Sequence, residues 1–160
     1  MTDTLLIRPA QAADAAAIAQ VHIRSREATM PYLPPRKRSD AEVEAWVRDV
    51  VLPGSAVWVA DLDGAVVGYA AVEGDDLDAL YLLAGVRRRG IGTLLLDAAK
   101  THRPQGLDLF VFQKNTDARA FYLRHGFVVT AATDGSGNME REPDLAMRWS
   151  PVTNGTRTVG

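Results

Sequence analysis

The strongest constraint on the fold lies in the middle of the chain, where an apolar run leads through a basic loop into a helical pattern. Residues 77–83 form the apolar run, and Arg87-Arg88-Arg89-Gly90-Ile91-Gly92 forms the loop. Residues 93–102 then repeat apolar side chains at helical spacing, until Pro104 and Gly106 end the pattern. Because strand and helix follow each other so closely, this unit predicts a sheet covered by helices.

Short apolar runs and helical patterns continue on both sides of this unit. Asp14 is predicted to cap a first helix, and Ser39-Asp40-Ala41-Glu42 is a capping box that opens a second one, ended by Pro53-Gly54. The Asp63-Gly64 pair predicts a tight antiparallel hairpin. The order is β-α-α-β-β-β-α-β-α-β-β, an α/β protein (α+β) with a central mixed sheet of about seven strands flanked by about four helices. The strands are predicted at residues 5–8, 57–60, 65–72, 77–83, 107–112, 127–133 and 145–149.

Length and composition exclude several classes of protein. A chain of 160 residues fits one domain, predicted at residues 1–150, with a polar tail at residues 151–160. Lys and Arg (18) nearly balance Asp and Glu (20), unlike a dedicated nucleic-acid binder. The absence of cysteine excludes disulfides, thiolate metal sites and a cysteinyl acyl-enzyme. No secretory pattern and no apolar run of ~20 residues is present, so we expect a cytoplasmic protein without a membrane partner.

The basic loop has the composition of an anion-binding site. Unpaired N–H groups and the helix dipole at such a junction point toward an anion, and Gly90 and Gly92 let the backbone approach it closely. The three arginines before them suit a ligand that carries several phosphates. The alternative is a solvated basic turn, and the loop sequence alone does not distinguish it from an anion-binding site. A Walker loop needs Gly-Lys-Ser/Thr here, and a dinucleotide fingerprint needs a third glycine where Leu95 stands, so neither is supported.

Two blocks in order resemble the GNAT superfamily of N-acetyltransferases. Arg87 to Gly92 match every fixed position of that family's Gln/Arg-x-x-Gly-x-Gly/Ala signature. Residues 115–127, from Asn115 to Phe127, are similar to its Asn-x-x-Ala-x-x-Phe-Tyr-x-x-x-Gly-Phe block. The resemblance covers roughly residues 5–149, with Ala84 where many members have proline. It implies a GNAT-like acyl-CoA N-acyltransferase fold and acetyl-CoA as the cosubstrate, with no metal.

The resemblance also implies which residues bind acetyl-CoA. Backbone groups at the end of the central strand would line the pantetheine arm, and the loop with the first helical turn would take the pyrophosphate. Asn115 would contact the pantetheine or acetyl end, and Ala118 would pack against the cofactor. The implied binding residues are Leu82, Leu83, Ala84, Arg87, Arg88, Arg89, Gly90, Ile91, Gly92, Thr93, Asn115, Ala118 and Tyr122.

Transfer to an amine needs a group that removes a proton, because an alkylamine with a pKa of ~10.4 is mostly protonated at neutral pH. Asp78 stands where relatives often carry an acid, and strand alternation puts it on the face of Leu80 and Leu82. Glu73 is the second candidate. Ordered water with no essential base, and a plain solvent-facing role for both carboxylates, remain open alternatives. The three histidines lack a partner acid at meaningful spacing: His22, His102 and His125.

The residues and the resemblance also indicate how the acetyl group would be transferred. Without cysteine or a Gly-x-Ser-x-Gly elbow, direct attack by the amine in a ternary complex is expected. A backbone N–H near Leu82 or Leu83 would meet the oxyanion. Tyr122, at the family's general-acid position, would supply a proton or hydrogen bond to the departing thiolate. The alternative is that Tyr122 is only a core aromatic beside Phe121.

The acceptor is predicted only as a primary amine, on a small molecule or on a protein N-terminus or lysine. Glu27 and Tyr32, with Arg24 and Trp46, fall in segments that commonly wall the acceptor pocket of the resembled family.

A catalytically silent acyl-CoA-binding or sensing module is the alternative function. No nucleic-acid partner is expected, and a homodimer stays open because dimers are common in that family. Carboxylates of the last hairpin could also meet a cationic amine, although exposure is their default: Glu140, Glu142 and Asp144.

Overall fold

The structure, a computed structural model, describes residues 4–86 and 90–151. These residues form seven strands and four helices in the predicted order. The strands are β1 (Leu5–Pro9), β2 (Ala56–Leu62), β3 (Ala65–Glu73), β4 (Asp76–Leu82), β5 (Leu107–Phe112), β6 (Phe127–Ala132) and β7 (Asp144–Trp149). The helices are α1 (Ala15–Thr29), α2 (Asp40–Trp46), α3 (Ile91–His102) and α4 (Thr116–Arg124). Within the described ranges, no helix is both long enough and apolar enough to span a bilayer.

The first of two compact units, residues 1–99, is built on four antiparallel strands. β2 pairs with β1 on one side and with β3 on the other, and β3 pairs with β4. The β2–β3 connection has Asp63 at φ 53° and Gly64 at φ 90°. Two positive φ angles in succession match the tight turn whose twist fits a hairpin, and Asp-Gly tolerates them well. The predicted hairpin is therefore confirmed.

Asp14 is the N-cap residue of α1, as predicted, but its side chain makes no cap hydrogen bond to that helix. A single 3₁₀ turn (Ala12–Asp14) precedes α1, and Asp14 has helical backbone angles with no side-chain cap bond to α1. Its carboxylate instead pairs with the Arg8 guanidinium of β1 at 2.9 Å and accepts the Gln11 N–H at 2.7 Å. The charge-assisted bond from Arg8 is the largest cause that holds the pKa of Asp14 below its usual value. The Asp14 carboxylate is thus held by Arg8 and the 3₁₀ turn instead of by the first turn of α1.

The capping box before α2 is confirmed. The Glu42 N–H donates to Ser39 Oγ at 3.1 Å, and the Ser39 N–H donates to Glu42 Oε1 at 3.0 Å. After α2 the helical path continues through a π-helical segment (Val47–Val51) and a last turn (Leu52–Gly54). The predicted stop at Pro53-Gly54 is therefore also correct.

Helices cover both faces of the strands in the first unit. Val59, Tyr69 and Ala79 pack against residues of α1 and α2, while Ala60 and Ala70 pack against the side of α3 that carries Ile91 and Leu95. Burying a side chain of Val, Leu or Ile size stabilises a fold by about 1.5–3 kcal/mol. The strands of this unit therefore lie between two apolar layers, and β3 is buried along most of its length.

The second unit, residues 100–160, has three antiparallel strands in the order β5-β7-β6. Asn115 Oδ1 accepts the Ala118 N–H at 3.3 Å and so caps α4, and Gly126 at φ 92° follows the end of that helix. The sequence offers Asn115 or Thr116 as the cap of this helix and Gly126 as its stop, so the cap is Asn115 and the stop is confirmed. Of the predicted polar tail, residues 152–160 lie outside the described part of the chain.

Candidate active site

The end of β4 presents one backbone amide in a distinctive orientation. Leu82 stands opposite Gly68 in the antiparallel pairing with β3. The next residue, Leu83, donates its N–H to the Val67 carbonyl oxygen at 2.9 Å. Because hydrogen-bonded pairs alternate along an antiparallel ladder, the N–H of Leu82 must point away from β3. Of the two amides predicted to meet an oxyanion, that of Leu83 already has a partner, and that of Leu82 is turned outward from the ladder.

The loop that follows β4 lies partly outside the described residues. Arg87, Arg88 and Arg89 are in the gap, so their predicted phosphate contacts have no structural counterpart here. Gly90 has φ 80°, a conformation that glycine adopts without strain, and a Cβ built at this position would meet no atom within 4 Å. The space beside Gly90 and the start of α3 one residue later fit an approaching phosphate.

The first turn of α3 combines core packing with the backbone N–H groups of a helix start. The Ile91 side chain is 1% exposed and lies in the core, so only its backbone could contact a ligand. Gly92 is buried as well, and Thr93 is half-buried. The first N–H groups of a helix have no partner within that helix. The predicted contribution of these residues to pyrophosphate binding is consequently one of backbone groups rather than of side chains.

Asp78 occupies a β-bulge in the β3–β4 pairing. Ala71 pairs with Ala79 and Val72 pairs with Leu77, which leaves Asp78 as the extra residue of β4. Its side chain is exposed, and partial desolvation, followed by a hydrogen bond and repulsion from Glu73, raises its pKa to about 6. Two carboxyl groups that share one proton can act as acid or base near neutral pH. The structure thus brings the two predicted base candidates together.

The bulge also weakens the basis for assigning Asp78 to the face of Leu80 and Leu82, because alternation is interrupted there. The Asp78 charge contributes to raising the pKa of Tyr69, whose ring packs on the opposite layer. Along the strand, Asp78 precedes Leu82 by four residues, which corresponds to ~13 Å at the usual rise of a strand. Asp78 is therefore not adjacent to the outward amide of Leu82.

An aromatic cluster lies on the α1 and α2 side of β4. It consists of His22, Trp46, Tyr69 and Tyr81, with ring centroids 5.2 Å apart for His22–Trp46 and 5.3 Å apart for His22–Tyr81. His22 Nδ1 lies 2.8 Å from the Tyr69 hydroxyl. Burial, and then the charges of nearby arginines, lower the pKa of His22 to about 4, so the imidazole is neutral at physiological pH.

Two arginines from different segments meet at the aromatic cluster. The Arg26 guanidinium of α1 donates to the Tyr81 hydroxyl at 3.2 Å. The Arg38 guanidinium, from the connection before α2, lies 5.8 Å from the centroid of the Trp46 ring. Both charges contribute to lowering the pKa of His22, which shows that they are near the same imidazole. The end of β4 is therefore positively charged on this face.

The predicted cofactor residues of the second unit lie together on α4. Asn115 is the helix cap, with its side-chain oxygen held by the Ala118 N–H. Tyr122 is 8% exposed, and its ring packs edge-on against Phe121 at 5.5 Å and Phe127 at 5.3 Å. The packing alternative for Tyr122 thus describes its ring correctly. It does not exclude a chemical role for the hydroxyl.

The predicted acceptor residues differ in exposure. Glu27 is exposed on α1, and Tyr32 is half-buried in the connection to α2. In the last hairpin, the expectation that the carboxylates are exposed is wrong for Asp144. This residue is 8% exposed and accepts hydrogen bonds from the Thr133 hydroxyl and the Asn138 side-chain amide. Asp144 therefore organises the β6–β7 connection of its own unit. Glu142 is half-buried there and pairs with Lys114 at 3.4 Å.

Sequence reasoning missed the aromatic cluster as a unit. It considered His22 without a partner, because the partner is a tyrosine 47 positions away. One signal was present: His22 and Arg26 are separated by four residues and so share a face of α1. Tyr69 and Tyr81 could be assigned to that face only once the strand register was known.

A strand end with an outward amide, a glycine at positive φ and a helix that starts directly after it form a junction that can receive an anionic ligand. Residues 53–129 match the family model of the acetyltransferase (GNAT) domain. The chain is 39% identical over 112 residues to peptidyl-lysine N-acetyltransferase YjaB of Salmonella typhimurium, covering 69% of this chain and 74% of that protein. It is 32% identical over 149 residues to peptidyl-lysine N-acetyltransferase YiaC of Escherichia coli, covering 92% and 98%.

The fold agrees as well. The solution structure of apo YjaB from Escherichia coli superposes with a TM-score of 0.73 at 27% identity, over 93% of this chain and 99% of that one. The chain belongs to the GNAT family, and the predicted GNAT-like α/β fold is confirmed. The protein is an acetyl-CoA-dependent N-acetyltransferase. The silent binding module has no support, since both relatives carry the name of an enzyme.

Proposed function

We propose that this protein acetylates lysine side chains of proteins, by direct attack of the lysine amine on acetyl-CoA in a ternary complex. The observation that supports this acceptor is similarity to two peptidyl-lysine N-acetyltransferases, one of which is matched over 92% of this chain. The working unit is residues 1–150 as one domain. The absence of cysteine from the chain supports direct attack over a cysteinyl intermediate.

The donor site consists mainly of backbone groups. Bound acetyl-CoA supplies an activated acyl carbon. Leu82, Leu83 and Ala84 line its pantetheine arm, and residues 87–93 take the pyrophosphate, with Ile91 contributing through its N–H because its side chain is in the core. The open space beside Gly90 supports this placement. Ala118 packs against the cofactor, and the side chain of Asn115 contacts its pantetheine or acetyl end.

The amide of Leu82 holds the thioester carbonyl oxygen as negative charge develops on it. The amide of Leu83 is less suitable because it already donates to Val67 at 2.9 Å. A preorganised donor of this kind typically accelerates acyl transfer on the order of 100-fold or more. The Gly68–Leu82 pairing with β3 keeps the donor in a fixed direction.

Asp78 and Glu73 receive the proton of the acceptor amine through ordered water. A pKa of about 6 lets the Asp78 carboxyl accept protons reversibly near neutral pH. The strand separation of ~13 Å between Asp78 and Leu82 is too long for direct transfer and is bridged by a few water molecules. Tyr122 gives a proton or a hydrogen bond to the departing thiolate.

Glu27 and Tyr32 belong to the acceptor side of the site. Glu27 is exposed and negatively charged, so it attracts the lysine ammonium before its proton is lost. A cytoplasmic location, a homodimer, and the absence of a metal, nucleic-acid or membrane partner stay predictions. The finer identity of the acceptor needs the experiments that follow.

Ligand-dependent stability tests the donor site. Acetyl-CoA at 100 times its Kd should stabilise the protein by about 2.7 kcal/mol and raise its Tm by a few degrees. The combined change Arg87→Ala and Gly92→Asp should abolish the shift, because it removes a phosphate donor and places a negative charge in the first turn of α3. Arg48→Ala is the matched control, since Arg48 pairs with Asp49 and Glu44 of its own helical segment. No shift with acetyl-CoA or longer acyl-CoAs would refute the donor site.

Release of CoA tests the reaction. Lysine peptides, free amines, polyamines, aminoglycosides and peptide N-termini are compared, and lysine peptides should show the highest kcat/KM. Tyr122→Phe should lower kcat by roughly 100-fold with little change in the Kd of acetyl-CoA. Phe keeps the ring that packs on Phe121 and Phe127, so a loss of turnover would report the hydroxyl. Unchanged kcat would remove Tyr122 from the proposed role.

A further inference from the structure

The first unit contains an arrangement that the donor site does not use, on the α1 and α2 side of β4. The Arg38 guanidinium lies over the half-buried Trp46 ring, and the Arg26 guanidinium donates to the hydroxyl of the half-buried Tyr81. The cations come from α1 and from the connection before α2, and the rings come from α2 and β4. We call Arg26, Arg38, Trp46 and Tyr81 the cationic lip.

We propose that the cationic lip binds a carboxylate next to the acceptor lysine, so that this enzyme prefers lysines flanked by aspartate or glutamate. This inference rests on the proposed function, because it concerns the acceptor of that reaction. Guanidinium groups bind carboxylates with short, charge-assisted and often bidentate hydrogen bonds. The Trp46 ring beneath Arg38 lowers the hydration of that guanidinium, and the Tyr81 hydroxyl holds Arg26 in place.

The position of the lip supports this assignment. Leu80 and Leu82 of β4 pack with the layer that includes α3, where the cofactor loop begins. Tyr81 packs with the opposite layer, formed by α1 and α2. Because the cofactor occupies the α3 side, the acceptor must approach from the side of Tyr81. Tyr81 is adjacent in sequence to Leu82, so the Arg26–Tyr81 contact lies one residue from the proposed oxyanion donor.

Charge around the lip also favours an anionic peptide. Residues 36–38 are Arg-Lys-Arg, and all three are exposed. Two nearby carboxylates of the described residues are engaged: Asp40 pairs with Arg36 at 2.8 Å, and Glu42 accepts the Ser39 N–H. Glu27, exposed on α1, attracts the lysine ammonium itself. A peptide with an acid next to its lysine therefore complements this surface, because the lysine meets the carboxylate of Glu27 and the acid meets the arginines.

Three peptides of equal length test the proposal. Each carries one central lysine, flanked by aspartate, asparagine or arginine on both sides, and CoA release gives kcat/KM for each. The aspartate peptide should exceed the asparagine peptide by roughly tenfold, the effect of one charge-assisted hydrogen bond. The arginine peptide should be the poorest, and salt should reduce the difference. A neutral or basic preference in the wild-type protein would overturn the proposal.

Variants assign the preference to the lip. Arg38→Gln and Arg26→Gln should each bring the aspartate-to-asparagine ratio toward one, while Arg38→Lys should keep part of it because the charge remains. Arg48→Gln is the control, because it removes one positive charge at a residue that pairs with Asp49 and Glu44 and is not part of the lip. Arg38 is exposed, so Arg38→Gln keeps the test valid even where Arg26→Gln weakens packing at Tyr81. A ratio unchanged in Arg38→Gln and Arg26→Gln would refute the assignment.

A binding measurement separates this proposal from the proposed function. Fluorescent versions of the three peptides, with glutamine in place of the lysine, are titrated into the CoA-loaded protein and followed by anisotropy. Tighter binding of the aspartate peptide without turnover of any lysine peptide would support the lip and contradict the proposed function. Equal turnover of all three lysine peptides would support the function and overturn the lip. Neither binding nor turnover would contradict both.

Discussion

The two faces of β4 differ in chemistry although they belong to one strand. On the α3 face, Leu80 and Leu82 pack into an apolar layer with Ile91 and Leu95. On the α1 face, Tyr81 joins His22, Trp46 and Tyr69 in a layer of polar aromatic groups with arginines at its rim. The α3 face therefore fixes the strand end for the donor by close packing. The α1 face combines packing with hydrogen bonds and charge, which suits recognition of a second, polar substrate.

The largest effect is expected on the α3 face, at Gly68. A Cβ at this position would collide with Leu82 Cδ2, and would lie 3.0 Å from the Tyr81 carbonyl oxygen and 3.3 Å from Leu95 Cδ1. Gly68→Val should therefore push the end of β4 and cost about 3 kcal/mol in the free energy of unfolding, with weaker acetyl-CoA binding. Urea unfolding and the Tm shift with acetyl-CoA measure both effects.

Gly54→Ala is the control for this substitution. A Cβ at Gly54 meets no atom within 4 Å, and the φ of Gly54 is not in the left-handed region. The control should change the free energy of unfolding by less than about 0.5 kcal/mol. If Gly68→Val were equally harmless, the α3 face would not be closely packed, and the contrast between the faces would be lost.

The next effect is expected on the α1 face, at the His22–Tyr69 hydrogen bond. His22→Phe keeps an aromatic ring but leaves the Tyr69 hydroxyl, in a side chain 1% exposed, without its imidazole partner. The loss should be about 2 kcal/mol in the free energy of unfolding at pH 7. The double variant His22→Phe with Tyr69→Phe should recover part of it, since no buried hydroxyl remains. Additive losses in the cycle would show that the pair is not coupled.

Acid should weaken the α1 face in particular. The pKa of His22 is about 4 in the folded protein and ~6.5 in an unfolded chain, so between these values the unfolded chain binds more protons. The His22 contribution to stability is therefore complete above pH ~6.5 and is lost as the pH falls toward 4, by roughly 2 kcal/mol. Urea unfolding from pH 7 to pH 4 should show a shallower decline in His22→Phe than in the wild-type protein. Parallel curves would contradict a buried neutral imidazole.

The smallest predicted effect on the free energy of unfolding is that of Asp78, and its dependence on pH is opposite to that of His22. Its pKa of about 6 exceeds the ordinary value of 3.8, so the folded protein binds the proton more tightly than the unfolded chain does. The stability that the folded protein gains from this tighter proton binding is present below pH 3.8 and is lost as the pH rises through 6. Asp78→Asn should therefore remove a small decline in stability between these values. The size is limited because the side chain is exposed and solvent screens its charge.

Turnover provides a second measurement on the same variant. Since water separates Asp78 from the reacting atoms in the proposed mechanism, Asp78→Asn should lower kcat by less than the ~100-fold expected for a direct base. The limb of the pH–rate profile near pH 6 should weaken at the same time. A loss far above 100-fold would indicate direct proton transfer and a shorter path to the amine than the strand geometry gives.

The sequence was sufficient where neighbouring residues decide the structure. The Asp63-Gly64 hairpin, the Ser39–Glu42 capping box and the Asn115 cap all follow from short-range hydrogen bonds, and all are confirmed. Asp14 has the predicted N-cap position of α1, but its side chain does not cap that helix because Arg8, on another element, pairs with the carboxylate. The glycine loop and the block from Asn115 to Phe127 identified the donor chemistry, since backbone approach to a phosphate is itself a local property.

Long-range pairing decided the rest. That the Leu82 amide points outward, and that Leu83 is bonded to Val67, depends on the register of β3 against β4. The bulge at Asp78 interrupts the alternation from which its face was predicted. His22, Trp46, Tyr69 and Tyr81 come from four elements, so only packing could assemble them. The sequence by itself determined the family and the donor, because local motifs encode them. Tertiary structure decided the direction of the Leu82 amide, the place of Asp78 beside Glu73 and the meeting of Arg26 and Arg38 at one aromatic cluster, because strand register and helix packing set those positions.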